Sequence, residues 1–271
     1  MDAGAALPET HQRIFAAVAA ARTRRATLAA ALALVAAGCL WLTGLLDGAR
    51  LVRGLPALRQ LAGEMFPPDF SRWRSWARPI LDTLAMSVAG TVLAVALSLP
   101  LALLAAEPTA PCASARRVAR LVLNLLRSVP ELVMGIFFVA AVGFGALPGA
   151  LALGLHSTGM VGKFFAEAID HADPRPIEAV RAAGGSHLQV VTHAILPQVF
   201  PRFLDTTLYR WEYNFRASTV LGVVGAGGIG FELIAALRLL AYDQVAAVMI
   251  AILGAVTLVD ALGGALRRQL R

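Results

Sequence analysis

The chain has 271 residues, 58% of them hydrophobic and only 15% charged, with a mean hydropathy of +0.69. Soluble domains run at about 45–50% apolar and about 25% charged residues, so this composition excludes an ordinary soluble enzyme and points to a membrane protein. The net charge of +7 is almost wholly arginine, because Lys163 is the only lysine. The arginines sit in short segments between apolar runs, as topology signals do, and not on one face as a nucleic-acid reader would place them.

Six stretches are long enough to cross a bilayer core of about 30 Å, which takes about 20 helical residues. They are 26–46, 80–105, 119–142, 147–168, 203–224 and 242–264. No cleavable signal peptide is read at the start, because no cleavage site follows the first run. No alternating strand pattern of useful length appears. The expected fold class is therefore all-α and integral to the membrane. Arginine placement sets the orientation: Arg13, Arg22, Arg24 and Arg25, then Arg116, Arg117 and Arg120, then Arg267, Arg268 and Arg271 fall on one side. That side is read as the cytoplasm, with both termini in it. Segment 47–79 would lie outside although it carries Arg50, Arg53, Arg59, Arg72, Arg74 and Arg78. Leu51, Leu55, Leu58, Ala62 and Met65 share one helical face there. The segment reads as a helix in the outer interface, with Trp73 and Trp76 in the aromatic belt.

Ionisable residues inside spans are costly unless paired or facing water. Arg127 and Glu131, and Lys163 and Glu167, stand four apart and are expected to pair along a helix. Span five is polar along much of its length, with Tyr209, Arg210, Glu212, Asn214, Arg216, Ser218 and Thr219. Such a helix should face the bundle interior or an aqueous path. Span four adds His156, Ser157 and Thr158. Arginine offers a planar fork suited to oxyanions, so Arg216 and His156 are expected to line an anion path.

Between spans four and five, His171 to Pro201 is too polar to cross. It reads as a helix from Ile177 to Ala183, a Gly184-Gly185 break, a second helix, and a stop at Pro197. After span five, Gly225, Gly227 and Gly230 spell G-x-G-x-x-G. The dinucleotide reading needs a βαβ unit and an acidic residue about 20 positions on. Glu232 and Asp243 are both too close, so Gly225, Gly227, Gly228 and Gly230 read as an outer turn ending span five. Exposed backbone N–H groups there could favour an anion.

The polar loop resembles that of ATP-binding-cassette importer permeases, whose pattern is E-A-A, three residues, G, nine residues, I-x-L-P. Glu178, Ala179, Gly184, Leu196 and Pro197 match it, while Val180 and Ala194 depart from it. The resemblance implies a coupling helix that docks in a groove of an ATPase subunit, with Arg181 and Gly185 in the same element. FPPDFSRW (66–73), RSVPELVMGIFFVAAVGFG (127–145), LHSTGMVGKFFAEA (155–168) and YRWEYNFRASTVLGVVGAGGIG (209–230) resemble the phosphonate permeases, a subfamily that includes phosphite and hypophosphite permeases. The likeness runs from about residue 64 onward. It implies a MetI-like type I permease core over 80–266, including loop 171–201, preceded by a region 1–79 of tail, first helix and interfacial helix. It also places Arg127, Ser128 and Pro130 near an inner gate.

A permease of this kind should lack its own ATPase, and no G-x-x-x-x-G-K-[ST] occurs: Gly162-Lys163 is followed by Phe164. ATP and magnesium would be held by two partner ATPases, with no cofactor or metal on this chain. A binding protein, a second copy of the chain and membrane lipid complete the expected partners, with no nucleic acid. The expected location is the bacterial inner membrane. The alternatives are an importer permease for another small solute, an ion-coupled transporter working alone, or a membrane enzyme acting on lipid or phosphate. The enzyme reading needs a metal cluster or a nucleophile–base pair. His11, His156, His171, His187 and His193 lack that spacing, and Cys39 and Cys112 read as free thiols.

Overall fold

A computed structural model describes the backbone from Glu9 to Leu270 and the side chains from Arg13 to Gln269. The side chain of His11 and all of Arg271 lie outside the described residues. The chain divides into two compact units that meet at Gly63–Glu64.

In the first unit, α1 (Glu9–Leu42) is one helix of 34 residues, long enough to cross a membrane from Arg13 to Leu42. It ends four residues before the predicted span does, at a turn where Gly44 has φ +71°. Asp47 then caps α2 (Gly48–Glu64), its carboxylate accepting from the Arg50 N–H at 2.9 Å. Leu51, Leu55 and Leu58 are exposed, and α2 buries none of its residues.

The second unit begins with residues 64–76. The Asp69 carboxyl accepts from the backbone N–H and the hydroxyl of Ser71, each at 2.8 Å, which holds it below the usual carboxylate range. Trp73 is exposed, but Trp76 packs inside against Ile229, Ala247 and Val248. The belt reading therefore fails for Trp76, whose ring is core.

The bundle is built from α3 (Ala77–Ala105), α6 (Ala146–Asp170) and α9 (Leu196–Leu221), with α4 (Ala113–Ser128), α5 (Glu131–Val142), α10 (Ile229–Arg238) and α11 (Tyr242–Leu270) around them. Among the described residues there is no strand. Lipid gives helices no hydrophobic reason to associate, so close packing at small residues does the work. A Cβ on Gly90 would meet that of Leu153 at 2.8 Å, and one on Gly154 would meet the Leu93 side chain at 2.5 Å. α4 approaches α6 at Gly159, where a Cβ would lie 2.6 Å from both the Leu123 carbonyl oxygen and the Arg127 nitrogen.

Among the described residues, three helices are long and apolar enough to cross alone, and up to five spans result if each bent pair counts as one. The sequence pointed to six. The difference is α6, a central helix of 25 residues enclosed by α3, α4, α5 and α9. Because protein covers it, it tolerates glycines, His156, Ser157 and Thr158 that lower its hydropathy. The third span is broken: α4 and α5 meet at 84°. Pro130 lacks an N–H and holds Val129 extended at φ −86°, ψ 121°, which ends α4. The Arg127–Glu131 pair is therefore not made, since the two no longer share a helix. Arg127 Nε donates to Asn124 Oδ1 at 3.0 Å instead. Lys163 and Glu167, on unbroken α6, do pair at 3.4 Å.

The polar loop forms a helical hairpin. Asp173 caps α7 (Pro174–Ala182), with Pro174 in the first turn. The turn follows at Gly184, with φ +80°. Ser186 and Gln189 form a reciprocal capping box at the start of α8 (His187–Gln189). Pro197 is not a stop. The chain stays helical as a π turn, Val190–Ile195, in which Leu196 N–H reaches back to the Val191 carbonyl, and then continues as α9. The wider turn makes room for a ring that would clash in a regular helix, and Pro197 sits in the first turn of α9.

Gly159→Ala places a methyl against backbone with nowhere to go. It should lower the unfolding free energy of the purified protein by about 1–3 kcal/mol. Gly38→Ala, inside α1 with nothing within 4 Å, should not lower it, because alanine favours the helix by about 0.5–1 kcal/mol. Thermal unfolding of both variants checks this.

Candidate functional site

A directed chain of hydrogen bonds crosses the bundle centre. Arg210 Nε donates to Ser157 Oγ at 2.8 Å, and Ser157 Oγ donates to Asn214 Oδ1 at 2.9 Å. Asn214 Nδ2 donates to Thr91 Oγ1 at 2.9 Å, and Thr91 Oγ1 donates to the Ser87 carbonyl at 2.7 Å. Nearby, Ser98 Oγ donates to the Thr158 carbonyl and Ser218 Oγ to the Phe215 carbonyl. All of these side chains are buried, Arg210 at 5% exposure. Of the residues read as path-lining, His156, Ser157, Thr158, Arg210, Asn214 and Ser218 thus lie inside the bundle, where they join α3, α6 and α9.

Beside this chain, at the α4–α5 elbow, three helices meet around Glu131. Tyr213 Oη donates to Glu131 Oε1 at 2.9 Å, and His156 Nε2 stands 3.5 Å from Oε2. His156 Nδ1 lies 2.9 Å from the Val129 carbonyl, the last before Pro130, and donates to it. The Arg210 guanidinium stacks 4.1 Å over the Tyr213 ring. The Arg127, Ser128 and Pro130 elbow is therefore level with His156, near the middle of α6. Glu131 was read as the partner of Arg127, and Tyr213, Thr91 and Asn124 escaped the sequence reading. Tyr213 carried a signal, since it follows Arg210 by three on a polar helix. Thr91 had none within its apolar span.

The outer face of α9 is different. Arg202, Tyr209 and Arg216 are exposed there and Thr206 and Tyr213 half-buried, at the three- and four-residue spacing of one helical stripe. Arg216 is half exposed and 3.9 Å from Asp260 on α11, with Thr219 beside it, its hydroxyl donating to the Arg216 carbonyl at 2.6 Å. On the α11 side, Arg267 pairs with buried Glu212 at 2.7 Å, where Gly263 leaves room for the carboxylate.

At one end of the bundle, Gly225, Gly227 and Gly228 all have positive φ, from +73° to +97°. Gly222 and Gly230 lie too close to neighbouring backbone for any side chain. The Ile229 N–H, which starts α10, donates to Thr83 Oγ1 on α3 at 2.9 Å. Gly145 N–H donates to the Gly225 carbonyl at 3.2 Å, tying in the start of α6. Several N–H groups of the turn are thus spent on internal bonds that close this end.

At the opposite end the loop hairpin is clipped to the bundle by Ile177, Val190, Ala194, Ile195 and Val199. Glu178, Ala179, Arg181, Gly184, Leu196 and Pro197 face outward, and Gly185 is half-buried. Arg181 also reaches the Pro108 carbonyl at 3.4 Å. A hollow beside the turn is lined by Val180, Ala183, Gly184, Gly185, Gln189 and His193. No group of three or more potential metal ligands occurs among the described residues.

A long-helix bundle with a buried polar spine and an outward helical hairpin is the build of a multi-pass transport subunit. Residues 98–271 match the family model of the binding-protein-dependent transport system inner membrane component. The chain belongs to that family, the permease subunits of ATP-binding-cassette importers. Within it, the chain is 64% identical over 231 residues to the phosphite transport system permease protein PtxC of Stutzerimonas stutzeri, covering 85% of this chain and 84% of that one. It is 42% identical over 220 residues to the phosphate-import permease protein PhnE of Mycolicibacterium smegmatis, covering 81% of this chain and 41% of that one. Among solved structures, an inward-facing MetNI methionine ABC transporter chain matches with a TM-score of 0.65 at 20% identity, over 75% of this chain and 99% of that one. At that identity the match speaks for the fold alone.

Thr83→Val should strip the buried Ile229 N–H of its acceptor and destabilise the glycine end by about 1–3 kcal/mol. Thr83→Ser should retain most of the stability. Hydrogen exchange of the α10 amides separates the two variants.

Proposed function

We propose that this chain is the translocation subunit of an importer for phosphite or a related phosphorus oxyanion, paired with a second copy of itself. The observation that carries the reading is the α9 stripe of Arg202, Thr206, Tyr209, Tyr213 and Arg216. Charged and phenolic groups at membrane depth do not face hydrocarbon, so this face borders an aqueous path, and a two-fold partner supplies its other wall. Two arginines on that wall suit an oxyanion, whose oxygens accept charge-assisted hydrogen bonds. The likeness to a phosphite permease supports the substrate class, and a separate binding protein outside selects among phosphite, phosphonate and hypophosphite.

In this reading the protein lies in the bacterial inner membrane with both termini and the loop hairpin in the cytoplasm. Two ATPase subunits hold ATP and magnesium and dock on the face around Glu178, Ala179, Arg181 and Gly184. When they close, they push the hairpin. The helix running without interruption from His187 through the π turn to Leu221 carries that push to the path wall. Arg127, Ser128 and Pro130 form an elbow that lets α4 and α5 respond separately.

Vesicles holding the chain with its ATPase and binding protein should take up phosphite only with ATP, and Arg216→Ala should lower uptake about tenfold or more. Transport by the chain alone without nucleotide would overturn the reading. Gly184 has open space around it but φ +80°, which strains a β-branched residue by about 1–3 kcal/mol. Gly184→Val should therefore hydrolyse ATP with little uptake, whereas Gly184→Asn, which tolerates this conformation, should stay coupled. Equal uptake-to-hydrolysis ratios in the two would count against the hairpin as the coupling element.

A further inference from the structure

The groups gathered around Glu131 are those an oxyanion site would use. Its carboxylate sits at the first turn of α5, where backbone N–H groups and the helix dipole favour negative charge. Tyr213 donates to it at 2.9 Å, and His156 Nε2 faces it at 3.5 Å. The Arg210 guanidinium lies 4.1 Å over the ring of that same Tyr213. Glu131 nevertheless leaves this set incompletely used. Arg210 is 5% exposed, and its Nη2 has no hydrogen-bond partner. A buried guanidinium N–H without an acceptor is destabilising, and a carboxylate has too few oxygens to reach every donor here.

We propose that this cluster is an oxyanion-binding site in the permease itself, filled at rest by the Glu131 carboxylate, which the transported phosphorus oxyanion displaces. The proposal rests on the transport reading above and gives it a place in the membrane. A tetrahedral phosphorus oxyanion presents its oxygens in several directions, so it can take the Tyr213 donor together with Arg210 Nη2. The site is within reach of the path. Tyr213 belongs to the α9 stripe, and the Glu131 side chain is 26% exposed. Competition from an internal carboxylate keeps affinity low, which suits a site that must release its ligand on every cycle. The carboxylate returns as the anion leaves, so the buried positive charge is never left unmatched.

The test uses the complex of this chain with its ATPase, without binding protein, and labelled phosphite in equilibrium dialysis, with sulfate as competitor. Glu131→Gln keeps an acceptor for Tyr213 but removes the competing charge. It should bind phosphite about tenfold or more tightly than the unaltered complex. Adding Arg210→Gln should abolish that gain, with ATP hydrolysis confirming assembly of each complex. Equal phosphite binding by Glu131→Gln and the unaltered complex would overturn the proposal, as would a gain that survives Arg210→Gln. A second measurement needs no change at position 131. Fluorotyrosine placed at 213 should shift its ¹⁹F resonance saturably with phosphite in the unaltered complex, and an unmoved resonance contradicts the site. Uptake through the binding protein, measured in the same preparation, separates the two ideas. Uptake without binding at Glu131 sinks the site alone. No uptake of phosphite, phosphonate or hypophosphite sinks the transport reading.

Discussion

Ser157 Oγ accepts a hydrogen bond from Arg210 and donates one to Asn214, and the rest of the bundle is arranged around that pair of bonds. In hydrocarbon a polar side chain without a partner is expensive. Here each hydroxyl and amide in the chain finds its partner on another helix or in the preceding turn, down to the Ser87 carbonyl on α3. Van der Waals packing at Gly90, Gly154 and Gly159 brings α3, α4 and α6 close. The polar spine fixes the register of α3, α6 and α9, which apolar packing alone would leave loosely specified.

With that core fixed, the two ends of the second unit acquire different characters. At the glycine end, positive-φ residues, the Thr83 cap and the Gly145–Gly225 bond lock three helix ends together. At the loop end the hairpin presents an open face while its inner side chains enter the core. One continuous helical path, including a π turn, joins that face to α9. The bundle thus combines one unbroken helical path with one helix broken at Pro130.

The long apolar helices were legible in the sequence because length and hydropathy alone define them. The helical hairpin of the polar loop was legible from its caps and glycines, and the Gly184 turn formed where expected. The reading went astray where a proline met tertiary context. Pro197 looked like a stop but is absorbed by a π turn, which needs Val191 and Leu196 to find one another. Pro130 looked like a detail within a span but breaks it by 84°, and that break redirected Glu131 from Arg127 to Tyr213 and His156. Span five was rightly singled out as polar. Which of its arginines is buried and which faces outward depends on the helix's rotation about its axis, and that is set by Ser157 and Thr91 on other helices.

The central claim is that the α9 stripe borders water. Its most direct test is cysteine reactivity, with Cys39 and Cys112 replaced by serine and a charged, membrane-impermeant thiol reagent applied to both faces of the assembled transporter. Thr206→Cys and Tyr209→Cys should react, at rates that change with nucleotide and substrate, while Leu253→Cys and Leu258→Cys on the apolar surface of α11 stay unmodified. If the α9 positions resist the charged reagent and yield only to a lipid-soluble one, as the α11 positions do, the stripe faces hydrocarbon and the account is wrong.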